Sequence, residues 1–190
     1  MQNMNSVYID KLKRHYEQYF GISGIVHKID NGPINKLDPK FFILEFPPNQ
    51  IHNMYTYCTV GMSLNRWDEN LIELFIYATE KNSLLVDLLC YCASYHRNDA
   101  PLNLNHTVDL GQPWLEESLC DHGFISLPYL EKSDFEQIDI DNKTIRCYWY
   151  IPITKAERDF KIKYGSEALE IIFEEKELNY LDPKRASLIE

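Results

Sequence analysis

YTYCTVGMSLN, residues 55–65, is the stretch whose reading decides the fold. Alternating aromatic and β-branched residues run as a strand up to Val60, and Gly61-Met62-Ser63 reads as the turn that follows. A thiol at Cys58 and a hydroxyl at Ser63 make it a candidate nucleophile site. A nucleophile elbow, however, has glycines two residues before and after its serine, between a strand and a helix. Here only Gly61 is present, and "NRWDEN" after it reads as a loop. Gly61 is better explained by a bulge or a close backbone approach. The expectation is a core strand with a structural turn.

Further strands lie on both sides: "GIVHKI" (24–29), "KFFILEFPP" (40–48), stopped by Pro47 and Pro48, and "LIELFIYAT" (71–79). "DNGP" (30–33) reads as a turn. Before them, Tyr8, Leu12, Tyr16 and Tyr19 recur at helical spacing, with Asn5 or Ser6 as cap and Gly21 as terminator. After them, residues 82–98 change period. Leu84, Leu85, Leu88, Leu89, Cys92 and Tyr95 mark a helix, with Ser83 as cap. "HTVDLG" and "GFISLPYL" are short apolar runs among loops, and "KTIRCYWYIPI" (143–153) is a strong strand. Thr154 and Glu157 have capping-box spacing for a last helix, with Ala156, Phe160, Tyr164, Ala168, Ile171 and Ile172 as its apolar stripe and Gly165 as a kink or break. Strands come in runs rather than alternating with helices. The fold class is therefore α+β, a single domain with a largely antiparallel sheet covered by helices.

The 190 residues carry 19 basic and 29 acidic side chains, a net charge of −10. Residues 99–141 hold one basic residue, Lys132, against ten acidic ones, so nine of the ten net charges fall in this segment. Such a block repels nucleic acid and attracts a basic protein, or it is a solvated face that aids solubility. No window approaches the roughly 20 apolar residues of a membrane helix, and the polar N-terminus has no signal core. The expected setting is the cytoplasm, without membrane or nucleic-acid partners. The five cysteines are odd in number and irregular in spacing, which fits reduced, buried thiols.

Other constellations are weak. Cys120, Asp121 and His122 crowd together, but a nucleophile needs its base placed in space rather than in sequence. The six histidines form no metal-binding spacing, and no glycine-rich phosphate loop occurs. Neither cofactor nor metal is expected. Within the acidic segment, Trp114 precedes Glu116 and Glu117. It is either an interface anchor or a plug for a sheet end.

The order of several motifs resembles the suppressor-of-fused (SUFU) domain family. "YTYCTVGMS", "ELFIYA", "LLVDLLCYCASY" and "NHTVDLGQPW" carry the resemblance, together with Ile153, Thr154, Glu157, Tyr164, Gly165, Asp182, Pro183, Arg185 and Ser187 near the C-terminus. It covers residues 25–190, with 1–24 as an N-terminal helix of the same domain. The resemblance implies a non-enzymatic, protein-binding α+β domain. Short bacterial members act as immunity proteins in polymorphic toxin systems. Animal members hold a transcription factor with an added C-terminal region, for which this chain is too short. The expected function is thus an antitoxin that binds a cognate toxin, such as a nuclease with a basic cleft. Its expected contacts are Asp109, Trp114, Glu116, Glu117 and Asp121. Alternatives are an adaptor that pairs an extended peptide with a sheet edge, and a hydrolase using Cys120 and His122 or Ser63. The sequence does not give the oligomeric state.

Overall fold

Thirteen elements of regular structure and one 3-10 turn follow from these patterns in the computed structural model, which describes residues 2–29, 32 and 34–189. The fold is α+β with a mostly antiparallel sheet, as expected. Within it the chain forms two compact units, one of residues 1–103 and 127–149, the other of residues 104–126 and 150–190.

In the first unit, α1 (Gln2–Phe20) buries Ile9, Leu12, Tyr16 and Phe20, a stripe at spacings of three and four. The helix starts at Gln2, ahead of the proposed caps Asn5 and Ser6, and Gly21 ends it with φ +69°. Then come β1 (Ile25–Lys28), β2 (Phe42–Phe46), β3 (Tyr55–Val60) and β4 (Ile72–Ala78), each antiparallel to the one before. Most of the turn assigned to residues 30–33 lies outside the described residues. All seven residues of β4 are buried, which explains an apolar run interrupted only by Glu73. α2 (Leu84–Asn98) buries Leu85, Leu88, Leu89 and Cys92, while Leu84 is exposed. Ser83 makes no side-chain cap; the Asn82 Oδ1 accepts from the Leu84 N–H at 3.0 Å instead.

The acidic stretch contributes to both units. β5 (Thr107–Asp109) and β6 (Cys120–Ser126) belong to the second unit, whereas α3 (Ser133–Glu136) and β7 (Gln137–Ile140) belong to the first. β7 pairs antiparallel with the start of β8 (Lys143–Thr154), and β4 pairs with β8 in parallel. Several acids are consumed structurally. Glu131 is enclosed by His52 Nε2 at 2.8 Å, the Tyr19 hydroxyl at 2.7 Å and the Tyr77 hydroxyl, while Glu136 pairs with Arg146 and Asp141 with Lys11. The tail of this segment folds back as a β-ribbon, in which Glu136 and Asp141 are paired with cations.

In the second unit the strand order is β8-β6-β5. A Cβ on Gly123 would lie 2.0 Å from the Tyr150 ring, so β6 passes that tyrosine only with glycine there. α4 (Lys155–Tyr164) and α5 (Ser166–Glu175) meet at Gly165, whose φ of +95° breaks what could have been one helix. That break changes the expected stripe. Leu169 and Phe173 enter the core, while Tyr164 and Ile171 are exposed. The Thr154–Glu157 capping box is complete on both sides.

Candidate functional site

The turn after β3 is tied to one buried carboxylate. Glu73 on β4 accepts from the Gly61, Met62 and Ser63 amides at 3.1, 3.2 and 3.0 Å, from Thr59 Oγ1 at 2.6 Å and from Ser63 Oγ at 2.5 Å. Since the Ser63 hydroxyl proton goes to Glu73, the Tyr8 hydroxyl, 2.9 Å away, donates to Ser63. Burial raises the Glu73 pKa and these donors oppose the rise. Gly61 has φ +95°, and a Cβ there would come within 2.9 Å of Ile9 Cδ1. The positive φ favours glycine, and a Cβ would also displace the Ile9 methyl. Ser63 is 1% exposed and its hydroxyl is held between Tyr8 and Glu73, an arrangement that serves the fold. Cys120 is also buried, and burial pushes its thiol pKa up, away from the reactive thiolate.

The five expected contact residues lie on the arm formed by β5, the connection 110–119 and the start of β6. Asp109 and His122 are register partners across β5 and β6. The imidazole thus sits between two carboxylates, with Asp121 Oδ1 2.7 Å from Nδ1 and Asp109 Oδ2 3.8 Å from Nε2. Asp109 is well exposed, Asp121 only in part. Glu116 and Glu117 are exposed on the connection, with Glu117 at φ +64°. Lys184 reaches Glu117 at 2.5 Å, and this hydrogen bond holds the Glu117 carboxyl below the usual range. Trp114 is half-buried; its amide donates to the Cys120 carbonyl at 3.2 Å, and its indole nitrogen is enclosed without a hydrogen-bond partner. The apolar side chain presented to solvent is instead Leu119, 59% exposed. The structure therefore brings Asp109 and Asp121 together around His122 and sets Glu116 and Glu117 on the adjoining connection.

Leu119 and Lys184 escaped the sequence reading, and His122 entered it as a partner for Cys120 rather than as the imidazole between Asp109 and Asp121. Strand alternation could have placed Leu119 outward between the connection and Cys120. Nothing in the local sequence pairs Glu117 with a lysine 67 residues away.

The C-terminal tail fastens this arm. Ser118 Oγ donates to the Pro183 carbonyl at 2.5 Å. Arg185 forms a bidentate pair with Glu157 at 2.6 and 2.7 Å, and Thr154 Oγ1 donates to Ser187 Oγ at 3.0 Å. The two C-terminal motifs that are 28 residues apart in sequence thus bind each other directly. No helix among the described residues is long and apolar enough to cross a membrane, and none of their His, Cys, Asp or Glu side chains form a metal-binding group of three.

A fold of this topology, closed by these motifs, defines a family: the chain belongs to the suppressor of fused protein (SUFU) family, whose pattern matches residues 38–186. Among solved structures, a SUFU homologue from Neisseria gonorrhoeae FA 1090 is 28% identical, with a TM-score of 0.84 over 97% of this chain and 98% of that one. The SUFU chain type persists at far lower identity. The Sufu–Fu complex structure gives a TM-score of 0.72 at 10% identity, covering 95% and 92%, and Drosophila Suppressor of Fused gives 0.68 at 11%, covering 95% of this chain and 50% of that one. At such identities the likeness is one of fold. The Bacillus subtilis (strain 168) immunity protein YqcF is 31% identical over 62 residues, a match that spans 33% of this chain and 32% of that protein's length.

Proposed function

We propose that this protein is an immunity protein, which acts in the cytoplasm by binding a cognate bacterial toxin rather than by catalysis. The observation that carries the reading is the arm of residues 109–121. It exposes Asp109, Glu116 and the apolar Leu119 and is fastened by the Ser118–Pro183 hydrogen bond. An apolar contact among acids suits a partner with a basic cleft, such as a nuclease, because charge speeds encounter while the buried apolar group slows release. The similarity to YqcF, itself an immunity protein, supports the role.

Co-expression with toxin domains encoded beside the gene tests it. Growth rescued by one toxin, and lost in an Asp109→Lys, Glu116→Lys double variant that remains folded, is the expected result. Rescue that survives the reversal moves the contact elsewhere, and no rescue by any neighbouring toxin rejects the role.

A second reading has its own observation. β1 lies at the end of the strand order, with Ile25 and Val26 45% and 42% exposed. An adaptor could pair an extended apolar peptide with that edge. Such binding would depend little on salt, whereas binding through the arm would weaken steeply with it.

A further inference from the structure

Trp67 is 82% exposed, more than any other large apolar side chain described. Its loop is nonetheless tightly held. Asn65 Nδ2 donates to Asp38 Oδ2 at 2.9 Å, Arg97 Nη1 to the Leu64 carbonyl at 2.9 Å, and Asn70 Nδ2 to the Leu102 carbonyl at 2.8 Å. Arg66 lies under the loop, bound to Asp68 and to the His96 carbonyl. Asn65 and Glu69 flank the tryptophan at φ +56° each, a left-handed conformation that asparagine tolerates and glutamate adopts at a cost. These hydrogen bonds and the buried arginine thus hold the loop that presents the indole to water, which is the preorganisation expected of an interface anchor.

Beside this knob lies a hole. A cavity of about 430 Å³ has Ile9, Leu37 and Phe41 in its apolar wall and Lys28 and Lys40, together with Asp10 and Asp38, as its charged lining. Asp38 lines the cavity and also accepts the Asn65 hydrogen bond, so knob and hole are neighbours on the first unit. The indole does not enter its own cavity, since it stands in solvent. A second copy related by a two-fold axis solves both problems at once, because in such an interface each copy offers the same knob to the same hole.

We propose that Trp67 of each copy inserts into the cavity beside Phe41 of the other, forming a symmetric dimer. Charge fits this occupant. Arg66 and Asp68 neutralise each other, leaving Glu69 as the knob's unpaired acid among the described residues. Lys28, exposed at the cavity, likewise has no carboxylate partner among them. The inference does not depend on the toxin-binding role, since it uses other residues and no other protein.

Sedimentation velocity of the purified chain from about 1 to about 100 µM tests it. The expected result is a monomer–dimer equilibrium, with iodide quenching of tryptophan fluorescence falling as the dimer forms. Trp67→Ala, at a solvent-exposed position, retains the native circular dichroism and weakens the dimer by roughly 30-fold or more. Glu69→Lys and Lys28→Glu each weaken it, and the double variant recovers it. A wild-type chain that stays monomeric throughout, or a Trp67→Ala chain that dimerises as well as wild type, overturns the proposal. A double variant no tighter than either single one overturns the Glu69–Lys28 docking pose.

Discussion

Arg185 and Glu157 meet through two hydrogen bonds in a site where both side chains are almost fully buried. Glu157 also accepts the Thr154 and Leu188 amides at 2.8 and 2.9 Å, and Arg185 donates to the Pro152 carbonyl. One ion pair thereby caps α4 and docks the tail. Removing the arginine alone would leave a buried carboxylate without its cation. Arg185→Ala is expected to destabilise the protein by about 3–5 kcal/mol, measured by urea unfolding. Arg185→Lys recovers only part of this, because an ammonium group cannot reproduce the two parallel bonds.

The turn around Glu73 gives a sharper test of structure against catalysis. Ser63→Ala removes a buried hydroxyl that links Tyr8 to Glu73, and is expected to cost about 1–3 kcal/mol. Glu73→Gln turns part of an acceptor-only group into a donor facing donors, and should cost more. If the turn is structural, both variants still protect against the partner at a temperature where they remain folded. A Ser63→Ala variant that is fully stable but inactive in protection would contradict this.

His96 links stability to pH. Its Nδ1 accepts the Leu102 amide at 2.9 Å, and burial, aided by the nearby Arg66, depresses its pKa to about 4 from the ordinary 6.5. The unfolded chain binds that proton more readily than the folded one. The stabilising effect is therefore complete above pH 6.5 and is lost as pH falls towards 4, by about 3 kcal/mol in all. Urea unfolding at pH 7, 5.5 and 4, compared between wild type and His96→Gln, isolates the contribution. The variant should show a shallower fall over that window.

Lys184 partly masks the acidic arm by pairing with Glu117. Lys184→Ala should leave stability nearly unchanged, since the pair is solvent-exposed. It should raise the association rate with a basic partner and steepen its salt dependence, while Glu116→Lys does the reverse. Stopped-flow association at two ionic strengths reads both. Equal slopes in all three proteins would place the partner away from the arm.

Much of this fold was legible in the chain. Runs of aromatic and branched residues between turn signals located β1 to β4, and Thr154 with Glu157 marked the start of α4, because those signals are local. The stripe Tyr164–Ala168–Ile171 failed because Gly165 rotates the second helix and brings Leu169 and Phe173 inward in its place. A run of charge in sequence says nothing about which partner each carboxylate will meet, and Glu131, Glu136 and Asp141 each found one partner or more at long or intermediate range. For the candidate site, the sequence put Asp109 and Asp121 in one segment but did not show that they meet around His122. Nor could it supply Lys184, whose approach is decided by how the tail docks.

All five cysteines are buried free thiols. Burial raises the thiol pKa of Cys58 and Cys147 well above its ordinary value, and that of Cys90 to about 12. The folded chain is consequently mute towards alkylating reagents, and each sulfur speaks only when its own neighbourhood opens. The protein thus carries five chemical stopwatches. Timed labelling of Cys147 against Cys120, one in each unit, would show which part of the molecule breathes first without any dye or mutation being added.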